Sequence, residues 1–558
     1  MSASGNAIDA SQSRTFSQRM LDGIEKAGNK VPHPVMIFLY LIAIIIVLSF
    51  ILELAGVKVT EDILVPAPVE GTPEWVGGST APNIYIDGLE GNYILITQTV
   101  EIESLLSIDG IRFIFTSFVN NFANFNVVAV IFVAMIGVGV AEQAGMMAAL
   151  IRGLVAAAPR RLLTFIIVFV GALSSVATDA GYLILIPLGA AAFLSVGRHP
   201  LAGIAAAYAG VSAIFSVNLL IAPIDALMTE MTNEAIAITD PTGSITITAN
   251  LYFSIVSTFI MAIVVTIITE KIIEPRLGKY DKAEMTEPEL TGSVPIPEDG
   301  AESEASSESL GLRYALYGLI GSIAVIALVT LPPGAPLRDP VDGAIIGNTP
   351  FMDSLIFLIT LIFLVCGIAY GIGAGTIKNS VDVINGITKT FAGLAGLIFM
   401  LLVISQFIAY FNYTNMPQVL AGGLANWLGQ ADVRPAILLV GFILVIALLD
   451  ILIPGVLPKW AIFAPVFIPL FAQLGIAPQT VQAAYRIGDS PMNVITPLMV
   501  YLPFIVLVAQ RYQKQTGLGT IVALMIPYTF IVLFLWTALF LVWFWLGIPL
   551  GPGYPVSI

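Results

Sequence analysis

The sequence predicts an all-α polytopic membrane protein of about nine transmembrane helices plus two re-entrant hairpins, laid out as inverted-topology repeats with broken helices. Three observations predict it. The 558 residues are 57% hydrophobic and only 11% charged, with a mean hydropathy of +0.93, which excludes an ordinary soluble domain. The stretch from Asp450 to Pro503 is apolar enough for a bilayer, yet it carries Asp450, Lys459, Arg486 and Asp489 and is interrupted repeatedly by Pro and Gly. Ionisable side chains and interrupted backbone at lipid depth are tolerated only where they face protein, water or a ligand. Finally, the pattern occurs twice. With Tyr182 laid on Trp460, Pro187 meets Pro465, Phe193 meets Phe471, Gly197 meets Gly475, Pro200 meets Pro478, Gly210 meets Gly488 and Ser212 meets Ser490, all 278 residues apart. After a short gap Asn218 matches Asn493 and Pro223 matches Pro497. Paired halves with corresponding interrupted helices point to a secondary transporter whose site lies near the bilayer midplane.

Residues 1–33 are polar, and Arg14, Arg19, Lys26 and Lys30 precede a first span, Pro34 to Leu54. The positive-inside rule places this amino-terminal segment in the cytoplasm, and the absence of a small-residue cleavage site argues for an uncleaved span. An external loop, 57–108, follows. The second span, FNVVAVIFVAMIGVGVAEQAGMMAALI, returns to Arg152, Arg160 and Arg161, so that 34–161 forms one helical unit. Two short apolar pieces flanking SSVATDAGY end at Arg198, on the side where they began, which requires a re-entrant hairpin. Pro200 to Pro223 then crosses outward through a small-residue break, completing a first repeat over 162–248. A helix over 249–275 returns to a cytoplasmic acidic linker, 276–311, which is rich in Ser and Pro.

Spans over 312–432 leave the chain outside. A second hairpin and broken helix, 433–510, run in the opposite sense to the first, and 511–558 carries the last helix and the tail. This inversion follows from the charge flanks, with roughly 20 residues needed per span. The net charge of −14 owes much to the acidic linker. One cysteine, Cys366, excludes an intrachain disulfide and a thiol metal cluster, and His33 and His199 alone cannot build a multi-histidine site. No cofactor is expected.

Candidate residues cluster at the tips and breaks. Ser174, Ser175, Thr178 and Asp179 at the first tip offer oxygen ligands for Na⁺ or a proton acceptor, although Ser and Asp also cap helices there. Asn218 lies where the first broken helix unwinds and suits a substrate carboxylate, Na⁺ or an interhelical hydrogen bond; Asp225 lies nearer the external end. Arg486 precedes Asp489 by three residues, so the two can pair on one helix face. Arg presents a planar fork to a carboxylate, and Asp489, next to Asn493, can neutralise it or exchange a proton or Na⁺. Lys459 reads as a snorkelling side chain. Asp450 reads as an ion ligand or a partner of the second tip, so that Na⁺ at Asp450 and Asp489 is one expectation. Trp460 offers a flat apolar face, though membrane tryptophans commonly serve as interfacial belts. An intramembrane enzyme would need a catalytic dyad or metal set, and no HExxH motif appears. A channel would need a continuous pore instead of re-entrant tips from both faces.

At GIEKAGNKVPHP, SSVATDAGYLILIP, NLLIAPIDAL, YGIGAGTIK, KWAIFAPVFIP and AAYRIGDSPMNVITPL the chain resembles the p-aminobenzoyl-glutamate transporter (AbgT) family over most of its length. The resemblance implies an ion-transporter-superfamily-like fold: a homodimer with inner scaffold helices and an outer transport core, working by elevator-type alternating access in a bacterial inner membrane. It implies cation-coupled movement, with Na⁺ or H⁺, of an organic anion such as p-aminobenzoyl-glutamate, or efflux of sulfonamide antimetabolites, and no nucleic-acid partner. Family positions fall on Asp179, Trp460, Pro478, Arg486, Asp489 and Pro497. The tip departs from the family pattern: Leu457 stands where serine is frequent, and Asp450 where an amide is expected. These changes alter the ligand shell.

Overall fold

The computed structural model describes residues 33–66, 83–84, 93–176, 181–240, 243–281, 301–346, 349–430, 434–451, 453, 455–496 and 498–558. The first helix, α1, spans Pro34–Leu54, starting on a proline whose missing N–H is harmless at that position. The His33 ring nitrogen accepts a hydrogen bond from the Val35 amide, 3.3 Å. At 1.5 Å per residue its 21 residues reach about 32 Å, enough to cross a bilayer. The loop expected over 57–108 contains an antiparallel sheet of strands β1 (Lys58–Pro66), β2 (Asn83–Ile84) and β3 (Tyr93–Glu101) in the order β1-β3-β2.

Next, α2 (Ile108–Ala123) is capped by Ser107 and bends at Asn124 into α3 (Asn126–Gln143). The second span therefore ends earlier than expected: Gly145, at φ 90°, turns the chain into a separate helix α4 (Met146–Ala156). Hairpin one consists of α5 (Leu163–Leu173) and α6 (Ile186–Ser195), the latter entered through a π-helical turn, Gly181–Leu185. The first broken helix is α7 (Pro200–Tyr208), which ends in the π-helical turn Ala209–Ala213, and α8 (Pro223–Ile236); α9 (Leu251–Ile268) follows.

The second half repeats this order. It comprises α10 (Ala301–Thr330), α11 (Leu355–Ala374), α12 (Ser380–Gly393), α13 (Ala395–Tyr413) and α14 (Met416–Gln430). Hairpin two is α15 (Pro435–Asp450) with α16 (Val456–Gln473). The second broken helix is α17 (Pro478–Asp489), the 3₁₀ turn Ser490–Val494 and α18 (Leu502–Gln510), before the last helix α19 (Leu518–Trp545). The span expected from Ile387 is divided: α12 is a separate helix that largely avoids burial, and α13 is the apolar one.

Among the described residues eight helices are long and apolar enough to cross a membrane. Seven coincide with the uninterrupted spans read from the sequence, and the eighth, Val456–Gln473, is an arm of hairpin two. The broken helices escape such a count because no piece is long enough.

The matched prolines and glycines prove to be punctuation. Gly197 (φ 78°) and Gly475 (φ 74°) end the second arms in the left-handed conformation, and Pro200 and Pro478 open α7 and α17. Gly210 and Gly488 mark close approaches. A Cβ on Gly210 would lie 2.7 Å from the Val168 carbonyl oxygen, and one on Gly488 would lie 2.6 Å from that of Ile443. Each break therefore packs on the first arm of its own hairpin. The two breaks, 209–213 and 490–494, also pack on each other, and the halves exchange partners: α3 lies on α11 and α12, while α13 lies on α1 and α2.

Candidate functional site

The second broken helix carries the charge. Lys459, in the first turn of α16, has no exposed surface; its ammonium lies 2.7 Å from Asp489 and also pairs with Asp450. Each acid is the last residue of its helix, α15 or α17, where the helix dipole is already negative. The Tyr485 hydroxyl donates to the Val456 carbonyl (2.6 Å) and lies 3.3 Å from Asp489. Asp450 Oδ2 and Asp489 Oδ2 have no hydrogen-bond partner among the described residues.

Two sequence readings are corrected here. Lys459 does not snorkel: two buried carboxylates hold it inside, because an uncompensated acid in a dry interior costs more than the desolvation of its counterion. Nor does Arg486 pair with Asp489. Its Nη1 donates to Asp225 (2.5 Å) and to the Ser216 carbonyl (3.4 Å), both in the first half, while Lys459 takes Asp489. The spacing of three residues permitted the local pair, but partners from elsewhere in the fold reached both groups. Arg486 Nε has no partner among the described residues.

Trp460 is fully buried, its ring tilted against Tyr485 with centroids 4.6 Å apart. Its indole N–H donates to Thr232 (3.1 Å), which also accepts from Gln482 (2.9 Å); Gln482 in turn accepts from Asn250 (2.7 Å). Composition gave no reason to choose Thr232, Gln482 or Tyr485. Charge counting offered a signal for Lys459, since between Asp450 and Pro503 two acids face two bases. Asp225 showed only its position just past Pro223, where its carboxylate also accepts from the Ala222 amide, 2.7 Å.

At the first tip the bonds among the described residues are neutral. Asn218 donates to the Ser175 hydroxyl (2.8 Å) and accepts from the Leu220 amide (3.0 Å), while the Ser254 hydroxyl bridges the Asn218 backbone N–H and C=O, each at 2.9 Å. Ser174 donates to Gly171 (2.6 Å), a local helix-end bond. Thr178, Asp179 and Pro497 lie outside the described residues. Asn493 sits on the 3₁₀ turn, and its carbonyl accepts from Tyr208, 3.3 Å. Pro478 stands apart, eight residues or about 12 Å along the axis from Arg486. Its neighbours Gln479 and Thr480 bond to Pro555 and Val556 of the tail. Ser212 and Ser490, matched across the halves, both have buried hydroxyls without a partner among the described residues.

A cavity of about 860 Å³ lies elsewhere, between Leu219 to Ile221, Leu312, Leu316 and Cys366. Its apolar walls include none of the charged residues, so it suits hydrocarbon and not an anion. Among the described residues no group of three or more His, Cys, Asp or Glu side chains is arranged to hold a metal ion.

The profile of the AbgT putative transporter family matches residues 19–558. The chain is similar to the p-aminobenzoyl-glutamate transport protein of Escherichia coli K12, with 32% identity across 97% of this chain and 98% of that one. Among solved structures it resembles the YdaH transporter of Alcanivorax borkumensis, with a TM-score of 0.80 and 37% identity over 93% of this chain and all of that one. It also resembles Neisseria gonorrhoeae MtrF, of a class of antimetabolite efflux pumps, with a TM-score of 0.81 and 36% identity over 96% of this chain and all of that one.

Proposed function

Because the chain belongs to the AbgT family, whose members are membrane transporters and not enzymes, we propose that it is a cation-coupled secondary transporter of p-aminobenzoyl-glutamate or related aromatic carboxylates. The observation that carries this reading is the reach of Arg486 across the two halves to Asp225. A guanidinium paired with a carboxylate at the junction of two repeats can exchange that partner for the carboxylate of a substrate. Tyr485, the residue before Arg486 on α17, holds its ring against Trp460 of α16.

The hairpins and broken helices pack through one another as a single body, and α3, α10 and α11 pack together beside it; that division supports elevator-type movement. The functional unit on this reading is a homodimer in a bacterial inner membrane with a cytoplasmic amino terminus, and Na⁺ or H⁺ drives transport. Likeness to MtrF favours a second reading, proton-driven efflux of sulfonamide antimetabolites; a dicarboxylate or another organic anion would fit the same fork.

The test is flux of p-aminobenzoyl-glutamate and of a sulfonamide into liposomes holding the purified protein, under imposed Na⁺ and pH gradients. Arg486→Ala is expected to cut gradient-driven flux roughly tenfold or more, the scale of a lost charge-assisted hydrogen bond, while remaining folded. Full flux in that variant, or none of either compound by wild type, would reject the reading.

A further inference from the structure

Lys459 brings together three chain ends. Its ammonium contacts one oxygen of Asp450, at the close of the first arm of hairpin two, and one of Asp489, at the close of α17. Lys459 itself begins the second arm. Two carboxylates at two negative helix ends form a cation site in any low-dielectric interior. Both acids are fully buried, and each retains an oxygen with no partner among the described residues. In the matched half the position of Lys459 is Gly181, where a Cβ would lie 2.2 Å from the Ser174 hydroxyl. The ammonium is therefore a feature of one hairpin alone.

We propose that Lys459 is a resident cation: it occupies the place that a metal cation bound by Asp450 and Asp489 would otherwise take, and so selects against Na⁺ at that pair. Its ammonium closes hairpin two on the broken helix without an ion from solution. The consequence for coupling rests on the transport reading, while occupancy of the site does not. Removing the side chain leaves two carboxylates with four hard oxygens and a charge of −2, which a Na⁺ ion can enter.

Purified wild type, Lys459→Gln and Lys459→Arg are melted in NaCl and in equimolar choline chloride, and the same preparations are assayed for p-aminobenzoyl-glutamate flux in the two salts. Wild type and Lys459→Arg should share one and the same difference between salts. In Lys459→Gln the difference should widen, with a melting temperature low in choline and largely recovered in Na⁺, and with flux roughly tenfold higher in Na⁺. An equal salt difference in all three proteins overturns the proposal, because a merely structural lysine gives no Na⁺-specific rescue. Should Lys459→Gln fail to fold in both salts, Lys459→Gln/Asp450→Asn, with one buried carboxylate instead of two, takes its place; it must still respond to Na⁺ more than wild type, and failure to do so overturns the proposal. Absence of flux in every sample would reject the transport reading and leave the melting contrast to decide the role of Lys459.

Discussion

The two hairpins share a backbone plan and differ in what closes them. Among the described residues, hairpin one meets its broken helix through neutral hydrogen bonds among Ser175, Asn218 and Ser254. Hairpin two meets its own through an ammonium held by Asp450 and Asp489. A repeated fold therefore does not imply repeated chemistry. Glycine and proline recur because both halves need the same turns and close approaches, whereas the polar groups diverged: among the described residues, only hairpin two holds an ammonium between two carboxylates. An ion pair at the breaks joins the halves: Arg486, of the second broken helix, holds Asp225, of the first.

The difference predicts unequal sensitivity. Lys459→Met should destabilise the protein by about 3–5 kcal/mol in salt free of Na⁺, because it strands two buried acids. Ser175→Ala removes one neutral bond and should cost about 1 kcal/mol. Chemical denaturation in mild detergent measures both, and equal losses would erase the distinction between the hairpins. A middle-sized effect tests what the halves share: Gly210→Ala and Gly488→Ala each press a Cβ into a carbonyl oxygen and should each cost about 1–3 kcal/mol. Thermal melts of the two variants should shift alike, and a large shift in only one would show that the close approach is not symmetric.

The smallest effect concerns the matched hydroxyls. Burying an unpartnered hydroxyl costs about 1–3 kcal/mol, so Ser212→Ala and Ser490→Ala should leave stability unchanged or slightly raised. Flux measured alongside sharpens this: a stabilised variant with lost transport would assign that hydroxyl to the substrate path.

Much of the architecture was legible beforehand. The spans, the hairpin arms and the interrupted helices follow from hydropathy and from Pro and Gly positions, which act locally through missing donors, positive φ and absent side chains. Boundaries at 145 and 394 were missed because α4 continues the apolar run of α3, and because the end of α12 from Ile387 leads into the apolar α13 without a proline or charge to mark the division after Lys389. In the site, Arg486, Asp489, Asp450 and Trp460 are all buried, but the partners of Arg486 are not those its spacing suggested. The choice of Asp489 for Arg486 and of the membrane surface for Lys459 used neighbours in sequence, and the true partners of Arg486 lie 261 and 270 residues away.

The sequence by itself determined that this chain sits in a bilayer, that it is built from two related halves, and that costly side chains gather near their interruptions. These properties depend on composition and on short-range backbone restrictions, which need no knowledge of distant contacts. Only the tertiary structure decided which acid each base holds and which hydroxyls remain unpaired. Ion pairing in a medium of low dielectric goes to whichever opposite charge the packing brings within about 3 Å, and packing joins residues hundreds of positions apart.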